Sequence, residues 1–93
     1  MKKQTQKFDA VEYLDSEEAI AAYLEAAFEE GDMGLIRVAL GDVVRAKGVQ
    51  YMADATGLTR AALYKAVGNN GNPTLTTLLA VTKALGVRLA IAA

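Results

Sequence analysis

The sequence predicts an all-α fold: a compact five-helix domain with a short N-terminal brace and a C-terminal β-strand. Three observations predict it. Apolar residues recur at helical spacing from Ile20 to Leu85, caps and glycines separate the runs, and only one proline interrupts the 93 residues. At the centre, Val49–Val67 reads VQYMADATGLTRAALYKAV, two short helical runs joined by a glycine. A tight turn of this kind is the pattern of a helix-turn-helix, whose second helix enters a DNA major groove. A plain helical hairpin in an all-α core writes a similar pattern, so both readings stand at this level.

In chain order, residues 1–7 (MKKQTQK) have no apolar period and read as a flexible arm, leaving 8–93 as the single domain. Phe8, Val11 and Leu14 share one side of a short turn that Asp9 can cap, the brace. Asp15 and Glu18 have the spacing of a capping box, and Ile20, Tyr23, Leu24, Ala27 and Phe28 form the stripe of a first helix that Gly31 ends. Asp32 caps a second helix to Lys47, with Ile36, Ala39, Leu40 and Val43 inward and Gly48 as its stop. The two motif helices follow. GNNGNP, residues 68–73, is a turn-rich loop in which Gly and Asn readily take positive φ. Thr74 caps the last helix, with Leu75, Leu78, Leu79, Thr82 and Leu85 as its stripe and Gly86 as terminator. In the final VRLAIAA, Val87, Leu89 and Ile91 alternate with Arg88, Ala90 and Ala92, the period of a strand. A lone apolar strand needs a partner, so Val87, Leu89 and Ile91 are the expected dimerisation residues, with pairing to the Phe8 segment of the same chain as the alternative.

Composition narrows the function. The chain has neither cysteine nor histidine, which removes disulfides, most zinc chemistry and the Ser-His and Cys-His nucleophilic arrangements. Its one serine, Ser16, stands at a helix entrance, and its carboxylates lie on exposed helix faces. An enzyme, a cofactor or a metal site is therefore not expected. No apolar run is long enough to span a bilayer and no signal-peptide core is present, so a cytoplasmic protein without a membrane partner is expected.

The net charge of −1 conceals an asymmetry. Residues 1–32 hold three Lys against nine acids, a net of −6; residues 33–93 hold seven basic residues against Asp42 and Asp54, a net of +5. The second part can meet phosphates and the first a cationic protein, or the first can simply keep the protein in solution. Within the motif, Gly57 takes the turn, Leu58 plugs the corner, and Leu63, Ala66 and Val67 face the core. Thr59, which caps the second helix, and Arg60, Ala61, Tyr64 and Lys65 on its outer side are the candidate DNA-binding residues. Arg60 and Lys65 suit guanine O6 and N7, and Tyr64 suits a phosphate or a thymine methyl. Gln50, near the first motif helix's N-terminus, and Asn69 and Asn70, after the second, are candidates for phosphate contact.

The segments FDAVEYL, DSEEAIAAYL, IRVALGDVVRAKGV, TGLTRAALYKAV, GNPTLTTLLAV and KALGVRL together resemble one family over almost the whole chain. It is that of the probable addiction-module antidote proteins, HigA-like antitoxins within the lambda-repressor-like, or Xre-like, helix-turn-helix group. The resemblance implies a homodimeric repressor that binds double-stranded operator DNA of its own operon and neutralises a small basic toxin of the RelE/ParE-like class. It also matches Thr59, Arg60, Ala61, Tyr64 and Lys65 to the family's recognition helix. The alternatives are a protein-only interaction module and a stand-alone Xre-like regulator without a toxin. The acidic composition favours the first of these.

Overall fold

Five α-helices and a single 3-10 turn make up the fold of the described residues, 9–68 and 70–93 of a computed structural model. The expected arm, Phe8 and Asn69 lie outside the described residues. The brace is the 3-10 turn Ala10–Tyr13, capped by Asp9, whose carboxylate accepts from the Val11 N–H at 3.1 Å. Leu14 follows it into the core.

Helix α1 (Glu17–Glu30) starts one residue later than the capping box suggested. Ser16 is its cap, its Oγ accepting from the Ala19 N–H at 3.0 Å. Asp15 and Ser16 are both good caps, and which one is used depends on where the chain leaves the brace. Ile20 and Leu24 are buried, and Gly31 ends the helix at φ 72°. Helix α2 (Met33–Lys47) opens on Asp32, whose carboxylate accepts from Gly34 and Leu35 at 2.7 and 3.2 Å. Ala39, Leu40, Val43 and Val44 form its buried side. This helix is the centre of the bundle: the brace, α1, α3 (Val49–Thr56) and α4 (Arg60–Val67) all pack on it. Helix α5 (Leu75–Leu85) packs on α3 instead.

The core gathers around Ile20, Leu40, Val43, Met52, Leu63 and Leu85, all fully buried. Thr82 is the buried polar residue among the described ones, and its hydroxyl donates back to the Leu78 carbonyl at 3.0 Å. The face α5 buries differs from the expected stripe. Val81, Thr82 and Leu85 point inward with Leu78 half-buried, whereas Leu75 and Leu79 are 68% and 48% exposed. Apolar residues surround this helix, so periodicity allows more than one inward face and the packing against α3 selects among them.

The expected C-terminal β-strand does not form: residues 87–93 have no regular secondary structure, and no strand occurs among the described residues. A strand is held by a neighbour's hydrogen bonds, and Ala10–Tyr13, near the chain's start, forms a 3-10 turn rather than an extended partner. The Val87 N–H closes α5 on the Thr82 carbonyl at 3.1 Å, and its side chain packs against the core. Val87 thus belongs to a helix terminus. At the same terminus, the Glu17 side chain lies where a Cβ on Gly86 would project, so the start of α1 meets the end of α5.

A polar cluster ties α1 to α2 and the brace. The Tyr23 hydroxyl donates to Asp42 at 2.5 Å, and Arg45 donates to the other Asp42 oxygen at 2.8 Å while standing 3.7 Å from Asp9. Burial, and then the hydrogen bond to Asp42, push the Tyr23 phenol up to about 12. Because the folded state holds this proton more tightly than an unfolded chain, the contribution is intact below about pH 10. It is lost as pH rises from there towards about 12. Urea midpoints measured across that window are expected to fall, and Tyr23→Phe to flatten part of the fall. An identical slope in both proteins would exclude the coupling.

Candidate nucleic-acid interface

The turn that joins α3 to α4 is built by short-range hydrogen bonds. Gly57 adopts φ 78°, a left-handed conformation that disfavours any residue with a Cβ, and its N–H donates to the Ala53 carbonyl at 3.0 Å. Thr56 clamps the corner, its hydroxyl donating to the Met52 carbonyl at 2.6 Å and accepting from the Leu58 N–H at 3.1 Å. A threonine just before a helix-ending glycine is the sequence signal for such a bond. Leu58 is half-buried at the corner, and Ala53 is buried in the core.

Thr59 caps α4 as expected, its hydroxyl accepting from the Ala62 N–H at 3.0 Å. Leu63 is the helix's one buried residue, while Ala66 and Val67 are half-buried. With that side anchored, Arg60, Ala61, Tyr64 and Lys65 are all exposed. The two cations and the tyrosine therefore occupy one short helix with no acidic residue on it.

The flanking candidates sit differently. Gln50 is exposed, but its amide donates to the Asp54 carboxylate at 3.0 Å, which places a negative group beside it. Helix α3 has Gly48 as its cap and no side-chain hydrogen bond there, and Lys47 lies 5.5 Å over the Tyr51 ring. Lys47 stands in the last turn of α2, where the helix dipole favours a cation. Asn70 is exposed in the turn after α4, and Asn69 falls outside the described residues.

The loop glycines do not take the positive φ the loop composition suggested. Gly68 is extended at φ −78°, and Gly71 is absent from the positive-φ glycines. Gly71 is buried, its N–H donates to the Gly68 carbonyl at 2.8 Å, and a Cβ there would strike the Ala66 and Lys65 carbonyls.

The charges sort in the same direction. Arg45 is engaged by Asp42 and Asp9, and its hydrogen bond to Asp42 raises its pKa further. Arg37 has its Nε buried without a hydrogen-bond partner. Arg60, Lys65, Lys83 and Arg88 are exposed. No group of acidic residues among the described ones could hold a metal ion, and no described helix is long and apolar enough to cross a membrane.

Comparisons with known proteins point the same way as the segment pattern. An uncharacterised protein of Haemophilus influenzae (strain ATCC 51907 / DSM 11121 / KW20 / Rd) is 41% identical over 91 residues, 98% of this chain and 94% of that protein. No solved structure matches the chain. The family model described as "probable addiction module antidote protein" matches residues 4–93. The chain therefore belongs to the family of probable addiction module antidote proteins.

Proposed function

We propose that this antidote is a HigA-like, Xre-type regulator that binds the operator of its own module as a homodimer and neutralises a RelE/ParE-like toxin. One observation carries the DNA-binding part: Arg60, Tyr64 and Lys65 stand exposed on an acid-free helix whose other side is anchored by Leu63. Arg60, in the first turn, is suited to a guanine edge, Lys65 to a phosphate or base, and Ala61 to close backbone approach. The protein has no catalytic role in this reading.

A dimer reads two half-sites roughly 34 Å apart, one turn of duplex. Apolar side chains available for pairing are Leu75 and Leu79 on α5 and Ile91 in the tail, all exposed. Of the dimerisation residues expected from the sequence, Val87 packs on the core, and Leu89 is 40% exposed beside α1. Ile91 is the most open of the three. Sedimentation at micromolar concentration tests the dimer, and a monomer there would remove it.

The experiment for the DNA part is a gel shift on the DNA upstream of the gene, at two salt concentrations. Arg60→Ala is expected to lose about 1–3 kcal/mol on the specific site, and Lys65→Ala to weaken binding with a shallower salt dependence. Equal binding by Arg60→Ala and the parent would refute the assignment. The second reading, a protein-only antidote, is favoured by the Gln50–Asp54 pair, which ties the Gln50 amide to a carboxylate that would repel a phosphate. No shift at low salt would support it.

A further inference from the structure

Between α1 and the chain's last segment runs an open groove of about 580 Å³. Leu24, Phe28, Val87 and Leu89 line it with apolar surface, and Glu25 and Glu29 line its α1 side. These glutamates are unfavourably placed for the isolated chain. They are four residues apart on one helix, where like charges repel. Glu29 and Glu30 also occupy the last turn of α1, where the helix dipole favours cations, and that turn has no basic residue. Among the described residues no ion pair reaches Glu25 or Glu29, although Arg88 also lines the groove.

An apolar trough with uncompensated carboxylates on its rim is complementary to a segment with apolar residues on one face and cations beside them. We infer that this groove is the toxin-docking surface, and that its occupant is a cationic amphipathic segment of the module's toxin. The apolar face of that segment lies on Leu24, Phe28 and Leu89, and its Lys or Arg side chains meet Glu25 and Glu29. The inference rests on the antidote reading but not on the DNA reading, because the groove uses none of the α4 residues. Docking relieves both the Glu25–Glu29 repulsion and the unfavourable dipole contact.

The test uses the full chain and two synthetic amphipathic peptides, one of Leu and Lys and one of Leu and Glu, followed by calorimetry and amide chemical shifts. The Leu/Lys peptide is expected to bind and the Leu/Glu peptide not to. Glu25→Lys combined with Glu29→Lys should weaken binding at least about tenfold at low salt, with unchanged helical circular dichroism. Glu25→Gln with Glu29→Gln supplies a milder variant should the reversal disturb α1. Shifts are expected at Leu24, Phe28 and Leu89. Equal binding of both peptides, unchanged affinity in both variants, or shifts confined to other acidic surfaces would overturn the inference. So would a chain dimer that dissociates on Leu89→Glu, since the groove would then hold a second copy.

Co-expression with the module's toxin separates the two claims. Growth rescue lost in the charge-reversed variant, with its helical circular dichroism and thermal melt unchanged, supports the groove. Rescue retained in that variant overturns the groove and leaves the antidote reading standing. Failure of the parent chain to rescue at all removes the antidote reading and, with it, the toxin as occupant.

Discussion

Leu63→Ala is expected to lose about 2–5 kcal/mol of stability, the cost of removing a core leucine's methyls and leaving a partly collapsed cavity. Leu63 is fully buried and is the one buried residue of α4, with half-buried Val67 packed against the core as a weaker second anchor. Small domains hold only about 5–15 kcal/mol in all, and 1 kcal/mol shifts the melting temperature of one this size by about 4–8 °C. Thermal melts and urea midpoints should both show the loss. Because the same side chain sets how α4 sits on the core, the proposed operator binding should fail in Leu63→Ala at a lower temperature than in the parent. Leu63→Met, close in volume, should cost less than about 1.5 kcal/mol. A melting temperature for Leu63→Ala within about 3 °C of the parent would mean that α4 is held by something else.

Gly71→Ala is the second large effect, and it arises without any exotic dihedral. The new Cβ would lie 2.6 Å from the Lys65 carbonyl oxygen and 2.8 Å from the Ala66 carbonyl carbon, both parts of the α4 backbone. Backbone cannot swing aside as a side chain does, so the loop or the last turn of α4 must move. Such overpacking costs typically about 1–3 kcal/mol and occasionally more. The variant should show that loss in urea denaturation, together with shifted amide resonances at Lys65 and Ala66. Gly41→Ala is the contrasting case, since its Cβ would meet Val67 Cγ2 at an ordinary 3.8 Å. There the gain in helix propensity, up to about 1 kcal/mol, should dominate and raise the melting temperature. If both substitutions had the same sign, the packing argument at Gly71 would fail.

The pair of short helices α3 and α4, with the turn between them, was legible because it is local. Gly57 and Thr59 each act on backbone within four residues, and Leu63 is the position that the helical period marks as inward. The exposure of Arg60, Tyr64 and Lys65 follows from burying Leu63, so the outward side of α4 was legible too. What depends on distant partners was not. Asp15 and Ser16 are equally able to cap, and only the path out of the brace selects Ser16. On α5, Leu75 and Leu79 fit a helical stripe as well as Val81 does, and packing against α3 excludes them. Gly71 was noticed for flexibility, whereas its role is to let the loop pass close to α4. The alternation of Val87, Leu89 and Ile91 was real in the sequence, but alternation describes side chains and a strand needs a neighbour's backbone.

The meeting of Glu17 with the turn at Gly86 has a consequence for the order of events when the chain refolds. The contacts of α2 with α3, and of α3 with α4, close short loops, which form early. The Glu17–Gly86 junction encloses residues 17–86, most of the chain, and the entropy of closing a loop rises with its length. The junction is therefore expected to close last. In a rapid-mixing experiment, a fluorophore pair spanning these two positions should report a slower phase than far-ultraviolet circular dichroism, and in unfolding it should part first.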